Sequence, residues 1–460
     1  MSDASLDAAK RARYAVWVAF IAAIGGFLFG YDLALTASAN RYLVEVFNLS
    51  EAGLGFITGC ACLGCIPGPF LGAWLCDSIG REKTMMVACG LLALSAIFTA
   101  LAPSFVVFVI FRMLGGLAVG LCSIASPMYI VEIAPPAQRG KLGVMYQLTI
   151  VVGSTIAPLA CALCVKLAGN ESWRWMFASQ MIILVFFFGF LFLLPKSPRW
   201  LAQKGRIDEA KEVLVRMNGE EGAEKELAEI KKTLAEDAGK TGGVKELFTP
   251  ALRYAIFIAC LLAFFNSWTG WSGLGGYIPI LIEDSAKTGN PVPPVILQLQ
   301  FAMTYFVMAI ITIISMFTVD KLGRKTLWIW GSLLMAIFTA IAGCSYHFAW
   351  GVSMTVVTIC LCAIPHGLAL GPLPWLMMSE LFPTRLRGKA AACSTTFLWV
   401  LIYTVNQFLP MIKGASVRSI GSEAGLFWVF TAICLFSLYF GCKMIPETAG
   451  KTLEDISVTE

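Results

Sequence analysis

Two charged residues lie deep inside apolar stretches of this chain. Asp32 follows the uncharged run 14–31, and Arg112 interrupts the apolar run from Leu101 to Val131. A charge at bilayer depth costs at least ~2.5 kcal/mol on insertion scales, so such a residue marks function and needs a partner. Counting ~1.5 Å per helical residue places both in the same half of the membrane, where they can meet. Burial alone favours the neutral acid, whereas a nearby guanidinium favours the carboxylate. A small movement of Arg112 would therefore load or release a proton on Asp32, which is the chemistry of coupling to a proton gradient. A static salt bridge between two helices is the alternative. Sodium coupling is disfavoured, because one carboxylate beside an arginine makes a poor oxygen cage.

A second set of charges recurs in the loops. Asp77-Ser78-Ile79-Gly80-Arg81 returns as Asp320-Lys321-Leu322-Gly323-Arg324, and Glu132 with Arg139 returns as Glu380 with Arg387. Pro195-Lys196-Ser197 has its counterpart in Pro446-Glu447-Thr448. Acids and bases repeated in this way suggest ion pairs between helix ends that latch one conformation. His366, beside Pro365 and near Gly371-Pro372, is a candidate second titratable group. The 15 cysteines lie almost entirely in apolar runs and behave as small packing residues, so neither metal nor disulfide chemistry is expected. No nucleophile with a base, metal-ligand cluster or phosphate loop is apparent; an enzyme is not expected, and neither is a cofactor.

The elements that must hold these groups follow from composition. With 58% hydrophobic and 14% charged residues and a mean hydropathy of +0.76, the chain is a polytopic membrane protein. Since a helical crossing needs ~20 apolar residues, the sequence divides into about twelve spans. They lie near 14–37, 53–75, 84–102, 105–127, 143–165, 174–194, 254–283, 295–318, 326–346, 350–378, 390–413 and 424–444. Of the 34 Lys and Arg residues, 27 fall on the side shared by both termini and 6 on the other, so both ends are expected in the cytoplasm. The slight basic excess of +5 is accounted for by those loops, and no nucleic-acid partner is implied.

The internal repeat divides the chain into residues 1–195 and 249–445, each with six spans, and a tail at 446–460. Residues 196–248 form the one long polar insertion. Ile207, Ala210, Leu214 and Met217, then Leu227, Ile230 and Leu234, recur there at helical spacing, with a Gly-rich joint at 238–244. Parallel repeats of this kind suit transporters that hold a small solute between two halves.

These motifs, taken in order, resemble the sugar porters of the major facilitator superfamily. The likeness covers essentially the whole chain. It rests on Phe29-Gly30-Tyr31-Asp32, the Asp77 and Asp320 loops, Arg112-Met113-Leu114-Gly115-Gly116, and Pro127 through Glu132 with Arg139-Gly140. It continues through Pro195 to Trp200, Gly371 to Trp375 with Glu380 and Arg387, and Pro446 to Glu454. The resemblance implies an all-α membrane protein with twelve transmembrane helices in two pseudo-symmetric bundles and a small cytoplasmic helical insertion. It also implies alternating access, with an acid at Asp32 and arginine at Arg112 marking the proton-driven members. Three positions depart from the pattern: Ser78 and Glu82 stand where bases are usual, and Lys196 where an acid is usual.

The seventh span also departs from the family. Its uncharged run 254–282 contains Gly270, Gly273, Gly275, Gly276 and Pro279, so a broken helix lining the cavity is expected. Hexose and pentose carriers of the family place Gln-Gln, then Gly, then Asn here, and the matching positions are Asn266, Ser267, Gly270 and Ser272. Met308 and Leu398 replace two further polar positions. Gln147 and the aromatic positions Phe29, Trp375 and Trp399 are retained. A sugar or sugar-like polyol of reduced polarity is the expected substrate, with another small metabolite, such as an organic acid or aromatic solute, as the alternative. A passive facilitator remains open, and a nutrient sensor is disfavoured by the short tail. The expected partners are the solute, protons and the lipid bilayer; the expected setting is a bacterial inner membrane, with the chain acting as a monomer.

Overall fold

The computed structural model describes residues 3–135, 139–237, 247, 249, 252–286, 291–382 and 384–445. Within these ranges the side chains of 3–9, 139–141, 143, 236–237, 320, 379–380 and 384–388 are not described. All regular elements among the described residues are helical.

The first crossing, α1 (Asp3–Phe47), is a 45-residue helix, far longer than the ~20 residues a bilayer requires. Two helices share the second crossing, α2 (Glu51–Cys65) and α3 (Gly68–Ile79), because Pro67 cannot donate to the preceding turn. The expected span at 53–75 is thus interrupted. Ser50 caps α2 by accepting from Gly53 N at 3.2 Å, and Ser104 caps the helix that begins at Phe105 in the same manner. Crossings three to six are α4 (Arg81–Ala100), α5 (Phe105–Ile133), α6 (Arg139–Ala168) and α7 (Ser172–Leu191).

The insertion follows as α8 (Pro198–Gln203) and α9 (Ile207–Asp237). Gly219, at φ +76, breaks α9 so that its arms fold together. Trp200, Leu201, Ala210, Leu214, Ala223 and Leu227 form the small core between them. The Gly-rich joint expected at 238–244 lies outside the described residues.

The seventh crossing needs three pieces, α10 (Arg253–Trp268), α11 (Trp271–Leu274) and α12 (Ile278–Ser285). Gly270 makes the break at φ +121, a conformation that a side chain would strain. Next come α13 (Pro294–Leu322) and α14 (Arg324–His347). The tenth crossing comprises α15 (Val352–Pro365), a π-helical turn at His366–Leu370, and α16 (Pro372–Glu380). The last two are α17 (Thr384–Ile420) and α18 (Ala424–Lys443).

Among the described residues, 10 helical runs are long and apolar enough to cross a membrane. The run Val144–Leu191 holds two of the crossings, α6 and α7, folded at Gly169, and α10 to α12 supply another that no single helix completes. Twelve crossings result. Large apolar side chains on α7, including Ile182, Val185 and Phe186, are about two-thirds exposed, as a lipid-facing surface requires.

The halves meet along two seams, α2 against α17 and α6 against α13. Within the first half, close backbone approaches fix the helices that carry Asp32 and Arg112. A Cβ on Gly30 would lie 1.8 Å from the Ile150 carbonyl oxygen, and one on Gly116 would lie 1.8 Å from that of Ala61. Small residues at membrane helix contacts allow such approach. Gly116→Ala is therefore expected to destabilise the protein by about 1–3 kcal/mol through forced separation of α5 from α2. Gly90, with nothing within 4 Å of its would-be Cβ, is the control. Thermal unfolding in detergent should show a lowered midpoint for Gly116→Ala and an unchanged or raised one for Gly90→Ala; equal midpoints would refute this packing.

Candidate coupling and substrate site

Asp32 and Arg112 form a two-pronged ion pair between α1 and α5. One Arg112 Nη donates to Asp32 Oδ1 at 2.6 Å and the other to Oδ2 at 2.9 Å. The residues are 2% and 1% exposed, so the pair is shielded from bulk water. Thr36, one turn beyond Asp32, accepts a third bond from Arg112 at 2.7 Å while donating to the Asp32 carbonyl at 3.1 Å. The Phe177 ring lies 5.1 Å from the guanidinium carbon and packs against Phe108, an apolar wall that favours a cation. Thr36 and Phe177 carry no charge and stand out little from the sequence; the four-residue spacing from Asp32 to Thr36 is the one legible signal.

Such a pair has two chemically distinct states. Ionised, the carboxylate and guanidinium cancel within the low-dielectric interior. Protonation of Asp32 removes the negative partner and leaves Arg112 to find another acceptor. At an effective dielectric near 20, two charges 4 Å apart attract by about 4 kcal/mol. A membrane potential supplies about 2.3 kcal/mol per charge per 100 mV, a comparable quantity.

The broken seventh and tenth crossings meet beside each other. Asn266 Nδ2 donates to the Leu370 and Gly371 carbonyls at 2.9 and 3.3 Å, serving a Leu370 carbonyl whose helical donor position is taken by Pro374. The Ser272 hydroxyl donates to the Asn266 carbonyl at 2.9 Å, which ties the break together, and Ser267 donates to Ala263 of its own helix at 3.0 Å. Trp375 is half-buried one turn beyond Gly371, and Gln147 is half-buried on α6. Phe29 and Trp399 come together across the halves, with ring centroids 5.3 Å apart in an edge-to-face arrangement. Trp399 Nε1, Tyr146 Oη and His366 Nδ1 are buried with no hydrogen-bond partner among the described residues.

On the face carrying the termini, Arg81 binds Glu132 at 2.8 Å and lies 3.5 Å from Asp77. Glu132 Oε2 also accepts from Ser197 at 2.5 Å, and Trp200 Nε1 donates to the Asp77 carbonyl at 3.2 Å, so the start of the insertion joins this cluster. Gly80 and Gly323, at φ +99 and +82, turn the chain directly before Arg81 and Arg324, and both arginines are at least nine-tenths buried. The side chains of Arg139, Asp320, Glu380 and Arg387 lie outside the described residues. At the departures, Ser78 donates to Trp74 at 2.6 Å and Glu82 is 5% exposed.

Contacts on the opposite face join the halves directly. Asn40 donates to the Gly276 carbonyl at 2.9 Å, Arg41 pairs with Glu283 at 3.2 Å, and Arg418 pairs with Glu51 at 2.9 Å. Lys413 binds Asp284 within the second half, beside these contacts. The polar residues Asn40 and Glu51 belong to helix ends that look merely solvated in sequence.

Fold and site together define a membrane transporter made of two six-helix bundles, the first of which holds a buried acid–base pair. The sugar (and other) transporter family model matches residues 18–459, and the chain belongs to that family. It is 36% identical over 454 residues to the arabinose-proton symporter of Bacillus subtilis (strain 168), covering 96% of this chain and 94% of the relative. The D-xylose-proton symporter of Escherichia coli (strain K12) is 31% identical over 475 residues, covering 96% and 95%. Among solved structures, the partially occluded inward open conformation of the xylose transporter XylE from E. coli superposes with a TM-score of 0.83 at 28% identity. That match covers 96% of this chain and 100% of the other.

Removing one member of a buried pair strands the other, at about 3–5 kcal/mol, whereas apolar replacement of both is often neutral. Thermal unfolding is expected to give a large loss for Asp32→Leu and recovery of most of it in Asp32→Leu/Arg112→Met. Additive losses in the double variant would contradict direct pairing.

Proposed function

We propose that this chain is a proton-coupled symporter of a sugar or sugar-like polyol, working by alternating access in a bacterial inner membrane. The observation that carries this reading is the buried, doubly bonded Asp32–Arg112 pair in a transporter-family fold. Similarity to proton symporters for arabinose and D-xylose supports the substrate class.

The cycle follows from charge balance. A proton taken up by Asp32 neutralises the carboxylate, weakens its hold on Arg112 and frees α1 to shift relative to α5. Substrate binding between the halves stabilises the loaded arrangement, and linkage requires that each ligand raise the affinity for the other. Release of both on the opposite face restores the ion pair. With the termini in the cytoplasm, as the Lys and Arg distribution favours, the contacts Arg41–Glu283 and Glu51–Arg418 close the external face. Arg81, Asp77 and Glu132, with Arg139 and the repeat partners Asp320, Arg324, Glu380 and Arg387, act as the internal latch.

The working units are the bundles 1–195 and 249–445, the helical linker 196–248 and the tail 446–460, and the monomer suffices. Substrate contacts come from Phe29, Gln147, Asn266, Ser267, Ser272, Trp375 and Trp399. In the structure Asn266, Ser267 and Ser272 spend donors on backbone carbonyls, so in this arrangement they meet solute hydroxyls through their oxygens as acceptors.

Proteoliposomes test the coupling role. Asp32→Asn is expected to retain sugar counterflow while losing accumulation driven by an imposed pH gradient by at least tenfold. Accumulation at the wild-type level in this variant would exclude Asp32 as the coupling group and leave a passive carrier as the better reading.

A further inference from the structure

We propose that His366 is a specificity-determining residue whose Nδ1 hydrogen-bonds one hydroxyl of the transported solute. This rests on the sugar-symport reading and adds a contact to it.

His366 opens the π-helical turn between α15 and α16. The Gly371 N–H donates to the His366 carbonyl at 2.8 Å, and Asn266 holds the Leu370 and Gly371 carbonyls. Local backbone demands are thereby met without the imidazole. The ring itself is fixed. It stacks on Trp271 with centroids 6.0 Å apart and planes 28° apart, and a Cβ on Gly371 would lie 3.1 Å from its Nε2. Although His366 is only 7% exposed, its Nδ1 has no hydrogen-bond partner among the described residues.

A buried polar atom left unpaired carries a desolvation penalty that packing does not recover. A phenylalanine would stack on Trp271 as well and avoid that penalty, so the nitrogen serves something other than the fold. The turn lies beside the broken seventh crossing, where irregular backbone lines a central cavity in transporters of this plan. Other polar groups nearby already spend donors on backbone, Asn266 on the turn, Ser272 on the Asn266 carbonyl and Ser267 on its own helix, which leaves their oxygens as acceptors only. Met308 and Leu398 offer no polar atom. Trp399 Nε1 and Tyr146 Oη are also unpaired; the indole can only donate and the Tyr146 ring sits against Gly26 of α1, whereas a neutral imidazole at the break can donate or accept according to tautomer. The tenth crossing thus adds a polar group to the few that the amide-poor spans retain.

The test uses the full-length protein in proteoliposomes, with arabinose, D-xylose and galactose as probes, followed by the monodeoxy analogues of whichever is carried. Loss of a neutral hydrogen bond should raise KM by roughly three- to tenfold. His366→Phe, which keeps the ring stack and removes Nδ1, is expected to show this rise with Vmax and pH-driven accumulation retained. For one analogue the wild type should show the same rise over the parent sugar, and His366→Phe should treat the two alike. His366→Asn, whose amide reaches the Nδ1 position, should restore affinity better than His366→Gln, whose amide reaches Nε2; this comparison decides the matter if His366→Phe does not fold. A folded His366→Phe that discriminates every deoxy analogue as the wild type does would overturn the assignment. If the wild type carries none of the sugars, the sugar reading falls, and this contact with it.

Discussion

An ionised side chain cannot be left alone in an apolar interior, and the structure is arranged around that constraint. Asp32 and Arg112 satisfy it together, with Thr36 bridging and Phe177 covering the guanidinium. Their geometry depends on α1 and α5 staying within a side chain's reach. Gly25 provides this, letting α1 approach Ser126 of α5, while Gly30 seats α1 on the Ile150 carbonyl of α6 and Gly116 seats α5 on the Ala61 carbonyl of α2. The same contacts place the acid where a proton's arrival changes the electrostatics of helix packing.

That local change can become a global one because the halves meet along two packed seams, α2 with α17 and α6 with α13, and the ion pairs that join them sit at one end. On one face, Arg41–Glu283, Glu51–Arg418 and Asn40 with the Gly276 carbonyl cross between halves. On the other, Arg81 and Glu132 hold together helix ends of the first half and the start of the insertion through Ser197. Arg41–Glu283 and Glu51–Arg418 are open to solvent and contribute little each, about 0–1 kcal/mol, which suits contacts that must break in every cycle. Arg81–Glu132 and Asp32–Arg112 are buried and costlier to disrupt, and in the proposed cycle the second is the one the proton controls.

Much of this was legible in the residues. A charge inside an apolar run has few explanations, so Asp32 and Arg112 could be paired from depth alone. Gly270 and Pro279 announced the broken seventh crossing in the same way. Other features left no comparable trace. The second crossing reads as continuous although Pro67 divides it, since proline is tolerated within membrane helices. The repeated loop charges suggest ion pairs between helix ends without saying which acid meets which base; the structure sets Glu132 against Arg81, brought near by the corner at Gly80. Arg41, Glu51, Glu283 and Arg418 resemble ordinary solvated termini, and only the fold reveals that they face one another. Asn266 occupies a solute-facing position of the family pattern, and the structure adds that its amide nitrogen donates to the Leu370 and Gly371 carbonyls; Pro374, which lacks the N–H that would reach Leu370, is the sequence marker for that role.

The central claim is that the Asp32 carboxyl changes protonation during the cycle. Infrared difference spectroscopy of the reconstituted protein, recorded with and without the transported sugar across a range of pH, reads this directly. A sugar-dependent protonated-carboxyl band in the wild type that disappears in Asp32→Asn is the predicted result. A spectrum in which Asp32 stays ionised with and without sugar at every pH supporting uptake would contradict the account.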